Sequence, residues 1–446
     1  MSGNLRRALC ALLLTLIALP AWAILPIQHW QTKGGARVYF VEARNLPMLD
    51  ISVDFPAGSA YDTLEKSGVA SMTQGMLRLG AGGLSEDEFA RRMADTGAQL
   101  GGRIDSDRAG VTLRTLSSAD ERAPSLKLFA LALQKPEFPA SVIEREKKRL
   151  VDAIKESDTK PETIMSRTFS RLAYARHPYG LRTSGEVNTV EGITRDDLVA
   201  FHRRYYTSDN AIVAIIGDVS RAEAEAIAEQ VTGELPRADS TPSIPPVPSL
   251  QDGSMRVIAH PASQSHLILG MPGIKRSDPD YFPLFVGNYI LGGGGFESRM
   301  MEEVRSKRGL AYSAYSYFSP MQERGPFVIG LQTRKDQAAE ALAVVRSTLK
   351  DFLDKGPTDR ELQNARQNLV GGFPLRIDSN RKILDYLAVI GFYHLPLTYL
   401  EDFVPSVEKV TIADIRAAFA KRVDPAHMAT VIVGADAKTI EGASAN

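Results

Sequence analysis

The sequence predicts an α+β fold of two related domains, each an antiparallel or mixed β-sheet covered on one face by a block of α-helices. Three observations carry that expectation. Within each half, strand-like segments cluster first and long helical stretches follow, the segregation typical of α+β architectures. A helix–turn–strand pattern at 196–220 (DDLVAFHRRYYTSDNAIVAIIGDVS) returns at 413–436 (ADIRAAFAKRVDPAHMATVIVGAD). Phe201 answers Phe419 and Gly217 answers Gly434, at separations of 218 and 217, so the repeat is domain-sized and far longer than a solenoid period. Between the halves, residues 236–254 hold five prolines among small polar residues, the composition of an extended linker. The expected domains are therefore 24–235 and 255–446.

In chain order, residues 1–23 read as an export signal. Arg6 and Arg7 precede an apolar run from Ala8 to Ala18, and Ala21-Trp22-Ala23 fits a small-x-small cleavage site after Ala23. The run is too short for a membrane anchor, and no second long apolar run follows, so a periplasmic protein without an anchor is expected. The first domain then offers strands at 36–43, 48–56, 98–106 and 109–117, where β-branched and aromatic residues alternate or run together. From 119 to 207 the pattern is helical, with Pro161 at a helix start and His177-Pro178-Tyr179-Gly180 as a break. Strands are expected again near 255–260, 264–271, 311–318 and 325–332, then helices from 336 to 421.

Composition excludes several functions. The 446 residues carry 53 basic and 53 acidic side chains, so no general attraction for nucleic acid exists. The single cysteine, Cys10, lies in the export segment, which removes disulfide frameworks and Cys-based metal or redox centres. There is no nucleophile elbow or phosphate-binding loop. The seven histidines, at 29, 177, 202, 260, 266, 394 and 427, never fall at the i, i+3 or i+4 spacing of a helical zinc site, so no metal or cofactor is expected in this chain.

One segment, GGGGFESRMMEEVRSKRGLAYSAYSYF at 292–318, stands apart. A four-glycine turn leads to a short amphipathic helix, then Arg305, Lys307 and Arg308, then a tyrosine-rich strand. Arg305 and Tyr312 can be read as two donors for one carbonyl oxygen, an oxyanion-hole arrangement. They can equally be read as a basic helix end complementing its dipole and an aromatic edge strand. Without a nucleophile the residues alone favour the second reading.

That segment closely resembles the second-half signature of the pitrilysin- and insulysin-type zinc peptidases, the family of the mitochondrial processing peptidases. Ser298, Arg299, Arg305, Gly309, Leu310 and Tyr312 match it in order and spacing. Gly68-Val69-Ala70 resembles the start of the family's active helix, and His177-Pro178-Tyr179-Gly180 its H-P-Y-G turn. Active members carry H-x-x-E-H on that helix; here Ser71-Met72-Thr73-Gln74-Gly75 stands instead, and the position of the family's third ligand falls on Asp152. Serine and glycine do not replace imidazole on zinc, and glutamine takes no proton from water.

The resemblance thus implies a non-catalytic member. Arg305 and Tyr312 would contact the carbonyl and oxyanion of a peptide held in an active site whose zinc sits in a paralogue with an intact H-x-x-E-H motif. Gly293, Gly294, Gly295 and Phe296 would line the substrate. The implied assembly is a heterodimer acting on extended peptides that pair with an exposed strand edge, with a homodimer possible when the chain is alone. The alternative is a structural, assembly or peptide-holding subunit with no role in proteolysis.

Overall fold

The computed structural model describes residues 26–240, 242–250 and 253–435; the export segment and its cleavage site lie outside them. The first sheet contains β1 (Gln28–Gln31), β2 (Arg37–Glu42), β3 (Met48–Phe55), β4 (Gln99–Ile104), β5 (Ala109–Leu116) and β6 (Ile212–Gly217), in the order β1-β2-β6-β3-β5-β4. Its helices are α1 (Val69–Met76), α2 (Glu86–Asp95), α3 (Ala119–Gln134), α4 (Ala140–Ser157), α5 (Pro161–Tyr174), α6 (Val187–Glu191), α7 (Arg195–Tyr205) and α8 (Arg221–Thr232). The second sheet orders β7 (Met255–Ile258), β8 (Gln264–Pro272), β9 (Ala311–Phe318), β10 (Pro326–Arg334) and β11 (Ala429–Val433) as β7-β11-β8-β10-β9. With it run α9 (Tyr281–Asn288), α10 (Ala338–Lys355), α11 (Asp359–Gly371), α12 (Asn380–Phe392), α13 (Tyr399–Lys409) and α14 (Ile412–Arg422).

Both sheets are mixed in the same way. β2 and β6 are parallel, β7 and β11 are parallel, and the other pairs are antiparallel. The repeat reaches down to helix caps: Thr194 and Asp197 close a reciprocal capping box on α7, and Thr411 and Asp414 close the same box on α14. Strand β1 escapes the sequence reading because it is four polar or aromatic edge residues without a buried face.

Coverage on one face alone is corrected by the structure: each sheet takes one helix from the opposite half on its second face. On the first sheet Val38, Phe40, Val213 and Ile215 join the core of their own half, whereas Tyr39, Val41, Ala214 and Ile216 pack with α12 residues such as Leu387 and Ile390. Gly391 lets α12 lie close, since a Cβ there would stand 2.6 Å from Ile212 Cγ2 and from Tyr39 Cε2. Reciprocally, Met165, Phe169 and Ala173 of α5 pack on Ile268, Val328 and Val431 of the second sheet. Burial on both faces is why β6 and β11 read as unbroken apolar runs. Each fully buried Leu or Ile in these contacts contributes about 1.5–3 kcal/mol.

Polar contacts lock the same junction. Asp107, fully buried in the β4–β5 turn, accepts hydrogen bonds from Tyr179 Oη (2.5 Å), the Gln322 N–H (2.7 Å) and Tyr393 Oη (2.8 Å). Burial pushes its carboxyl above the ordinary range, against these three bonds. The proline-rich stretch is likewise docked: Ile244 and Val247 are buried, and His177 Nε2 donates to the Pro245 carbonyl at 2.7 Å.

Candidate functional site

The residues aligned with a zinc motif lie on α1. Gly68, at φ 100°, turns the chain into the helix, and Asp62 accepts the Gly68 and Ala70 N–H groups at 2.7 and 2.9 Å. Burial pushes the Asp62 carboxyl up to about 7. Ser71 and Gly75 are half-buried one turn apart, and a Cβ on Gly75 would meet open space. Gln74 is buried and fastens the helix to the sheet, its Nε2 donating to the Gly110 carbonyl at 3.1 Å. Its amide fills the space that a side chain at Gly102 would occupy. Asp152 is exposed on α4. Among the described residues no group of three or more His, Cys, Asp or Glu is placed to hold a metal ion. One exposed carboxylate, a hydroxyl and a tethered amide do not fit zinc, whose sites need imidazole, thiolate or several carboxylates. His177 and His202 are buried, their Nε2 atoms donating to the Pro245 and Leu133 carbonyls, and among the described residues they form no metal-holding group with Asp152; burial lowers His202 to about 4.

The Arg/Tyr segment has a different local geometry from the expected helix. Two wide turns shape it, the first running into the glycines, where the Gly294 N–H bonds the Tyr289 carbonyl at 2.7 Å, and the second after them, where the Lys307 N–H bonds the Glu302 carbonyl at 3.0 Å. Both are i→i−5 bonds, the π-type turn that often marks functional segments. Ser298, fully buried, donates to the Gly295 carbonyl at 2.7 Å and closes the glycine turn. Arg299 is structural: its guanidinium bonds Glu361 at 2.6 and 2.8 Å and the Gly356 carbonyl at 2.8 Å. Lys307 and Arg308 share Glu303, each at 2.7 Å. The Arg305 guanidinium has no carboxylate or hydrogen-bond partner among the described residues and lies over the Phe296 ring, 4.6 Å from the centroid.

Tyr312 is 84% exposed, at the start of β9 where the register with β10 slips between Leu331 and Thr333. A cleft of about 680 Å³ runs beside β9, and Gly293, Gly295, Phe296 and Tyr312 all line it. Gly294 is not part of that lining. Phe296, 72% exposed, is shared: it borders the cleft with Tyr312 and carries Arg305 on its face.

The two sheets offer different edges. On β9 the Ala314 N–H meets Met301 Sδ at 3.3 Å and the Ser316 carbonyl accepts from Asn288 Nδ2 at 3.0 Å, so this edge is capped from within. Among the described residues, the outer main chain of β4 has no such partner. Asn288 and Met301 escaped sequence reading; the only signal was a polar residue ending the apolar helix Tyr281–Asn288.

Comparison with known proteins agrees with this geometry. Residues 37–186 match the insulinase (peptidase family M16) model, and residues 192–369 match the peptidase M16 inactive domain. The crystal structure of a peptidase M16 inactive domain from Pseudomonas fluorescens superposes with a TM-score of 0.89 at 40% identity, covering 92% of this chain and 98% of that one. The Helicobacter pylori (strain ATCC 700392 / 26695) protein described as the non-peptidase homolog YmxG is 25% identical over 382 residues, 85% of this chain and 87% of its own length. The Bacillus subtilis (strain 168) YmxG, described as an uncharacterized zinc protease, is 24% identical over 355 residues, 79% and 85% of the two chains. With both halves matched and the α1 positions unable to hold zinc, the chain belongs to the M16 (insulinase) peptidase family as a member of the inactive type.

Proposed function

We propose that this chain is the non-catalytic subunit of a periplasmic heterodimer, giving substrate contacts to a zinc-bearing paralogue that cleaves extended peptides. One observation carries the reading. Arg299, Lys307 and Arg308 are all tied to carboxylates, whereas Arg305 is held by an aromatic face with its donors uncommitted, next to a cleft where Tyr312 is exposed. Such donors are suited to a peptide carbonyl as negative charge develops on its oxygen, because they need no reorganisation during the reaction. The unpaired outer edge of β4 supports main-chain pairing with an extended substrate, a mode that tolerates many sequences. Export rests on residues 1–23, and no helix among the described residues is long and apolar enough to cross a membrane.

The test is reconstitution with a zinc-bearing paralogue. Peptide hydrolysis should require both chains, and Tyr312→Phe should lower kcat by roughly 10²–10³ while complex formation is retained. Unchanged turnover would remove the proposed role and leave an assembly or peptide-holding subunit. Stoichiometric zinc with hydrolysis by the isolated chain would overturn the non-catalytic reading.

A further inference from the structure

The cleft of about 680 Å³ follows β9 from Tyr312 to Phe318 and continues to Pro320. Arg276 stands at that far end, where its N–H donates to the Met321 carbonyl at 2.7 Å just past the strand. It is the only charged residue, of either sign, among the described residues that line the cleft. The lining around this end is otherwise apolar, with Ile274, Leu284, Phe285 and Phe318. Arg276, Tyr317 and Pro320 also line a second cleft of about 500 Å³, which holds Asp105 and Asp107 of the β4–β5 turn and Ser166 and Ser170 of α5. The guanidinium therefore belongs to the wall where two cavities between the halves adjoin.

The charged neighbours of Arg276 are engaged elsewhere. Lys275 pairs with Glu323 at 2.7 Å, Asp278 and Asp280 both hold Arg422 at 2.9 Å, and Lys421 also binds Asp280. In the adjoining cleft Asp105 holds Arg108 at 3.0 Å, and Asp107 accepts its three hydrogen bonds. Among the described residues no carboxylate reaches Arg276; the groups that act on its charge are tyrosines. Its guanidinium lies over the Tyr281 and Tyr399 rings, 5.1 and 5.9 Å from their centroids, and its one side-chain hydrogen bond is a long one, from Nη2 to the Tyr399 hydroxyl at 3.4 Å. Stacking on two tyrosines is enough to hold an arginine in place. It leaves most N–H donors of a half-buried guanidinium without acceptors, although arginines withdrawn from water are normally paired.

We propose that Arg276 receives a carboxylate of the peptide lying in this cleft. A guanidinium presents parallel N–H donors that match both oxygens of a carboxylate. The tyrosine faces orient its plane, and the apolar lining strengthens the pair by lowering the local dielectric. A chain terminus would supply the carboxylate together with an apolar side chain for Ile274, Leu284 and Phe285, whereas an aspartate or glutamate would supply it from within the chain. This assignment rests on the reading of the chain as a peptide-binding subunit and adds the chemical group that the far end of its cleft selects; it needs neither the paralogue nor Arg305.

Fluorescence polarisation with the isolated chain tests it. The probes are ten-residue peptides of one sequence, labelled with fluorescein at the N-terminus. One pair ends in leucine, as the free acid or the amide; a second pair is amidated and ends in glutamate or glutamine. In at least one pair the member with the carboxylate should bind roughly tenfold tighter. A gain in the first pair assigns a chain terminus, and a gain in the second an acidic side chain. Arg276→Gln should bring the ratio to about one in a protein whose circular dichroism is unchanged. Arg276→Lys, which keeps the charge without the planar fork, should retain a reduced ratio and provides the reading if the neutral variant does not fold. Lys275→Gln should leave the ratio as it is. Equal affinities within both pairs, no binding of any probe, a ratio untouched by Arg276→Gln, or the same loss with Lys275→Gln would each overturn the proposal. A Tyr312→Phe change without effect on turnover would instead remove the oxyanion role and leave the carboxylate preference standing.

Discussion

Replacing Asp107 with alanine should break the bond between the two halves more than any other single polar change. Its carboxylate accepts from Tyr179 Oη at 2.5 Å, from the Gln322 N–H at 2.7 Å and from Tyr393 Oη at 2.8 Å, all in a fully buried position. Tyr179 belongs to the first half, and Gln322 and Tyr393 to the second. Hydrogen bonds to a charged group contribute about 1.5–3 kcal/mol each, but the three share one carboxylate and do not add. Burial of the charge also costs stability, as the raised pKa records. The expected loss is about 3–5 kcal/mol, the range seen when one partner of a buried charged network is removed, and a large part of a typical domain's total.

Asp107→Asn keeps one acceptor for the Gln322 and Tyr393 donors, while its Nδ2 can donate to Tyr179 Oη, so about 1–2 kcal/mol is expected. Urea unfolding of a chain beginning at residue 24 provides the assay. Trp30 is then the sole tryptophan and reports the first half, whereas far-ultraviolet circular dichroism reports both. Wild-type transitions should coincide by the two probes, and those of Asp107→Ala should separate as the halves lose their coupling. A loss below about 1 kcal/mol with coincident transitions would refute the latch.

Further outcomes follow from single contacts. Gly391→Ala should destabilise by about 1–3 kcal/mol, because its Cβ meets Ile212 and Tyr39 on the first sheet, whereas Gly75→Ala in open helical space should stabilise by about 0.5–1 kcal/mol; thermal melts showing the same sign for both would contradict the packing of α12. Burial would raise the Glu361 pKa, but hydrogen bonds from Arg299 and Thr358 outweigh it and hold it at about 2. Since the folded value lies below the unfolded one, that stability is present above pH ~4.5 and lost as pH falls toward 2, so Glu361→Gln should flatten the acid limb of a stability-against-pH curve. Phe296→Ala should lower kcat of the reconstituted complex more than it raises KM, since Arg305 loses the surface that orients it; an effect on KM alone would make Phe296 a binding surface only.

The strand and helix order was legible because periodicity and propensity act locally. The expected strands at 48–56 and 109–117 differ from Met48–Phe55 and Ala109–Leu116 by about one residue at an end. Strand β1 and the wide turns around Arg305 were not legible, since four polar edge residues carry no period and an i→i−5 bond leaves no compositional mark. The candidate site divides the same way. Gln74 in place of a general base is visible in the sequence, but its bond to the Gly110 carbonyl and its need for Gly102 are products of packing.

By itself, the sequence determined the two-fold repeat of strands and helices, the neutral charge balance and the absence of zinc-binding side chains on α1, because each follows from residue identity and short-range spacing. Only the tertiary structure decided that α5 and α12 cross to the opposite sheets and that Asp107 ties Tyr179 to Tyr393. It alone left Arg305 on Phe296 and Arg276 on Tyr281 and Tyr399 rather than on carboxylates. These residues are up to 286 positions apart, and the close packing of two sheets and their exchanged helices, not any local preference, brings them together.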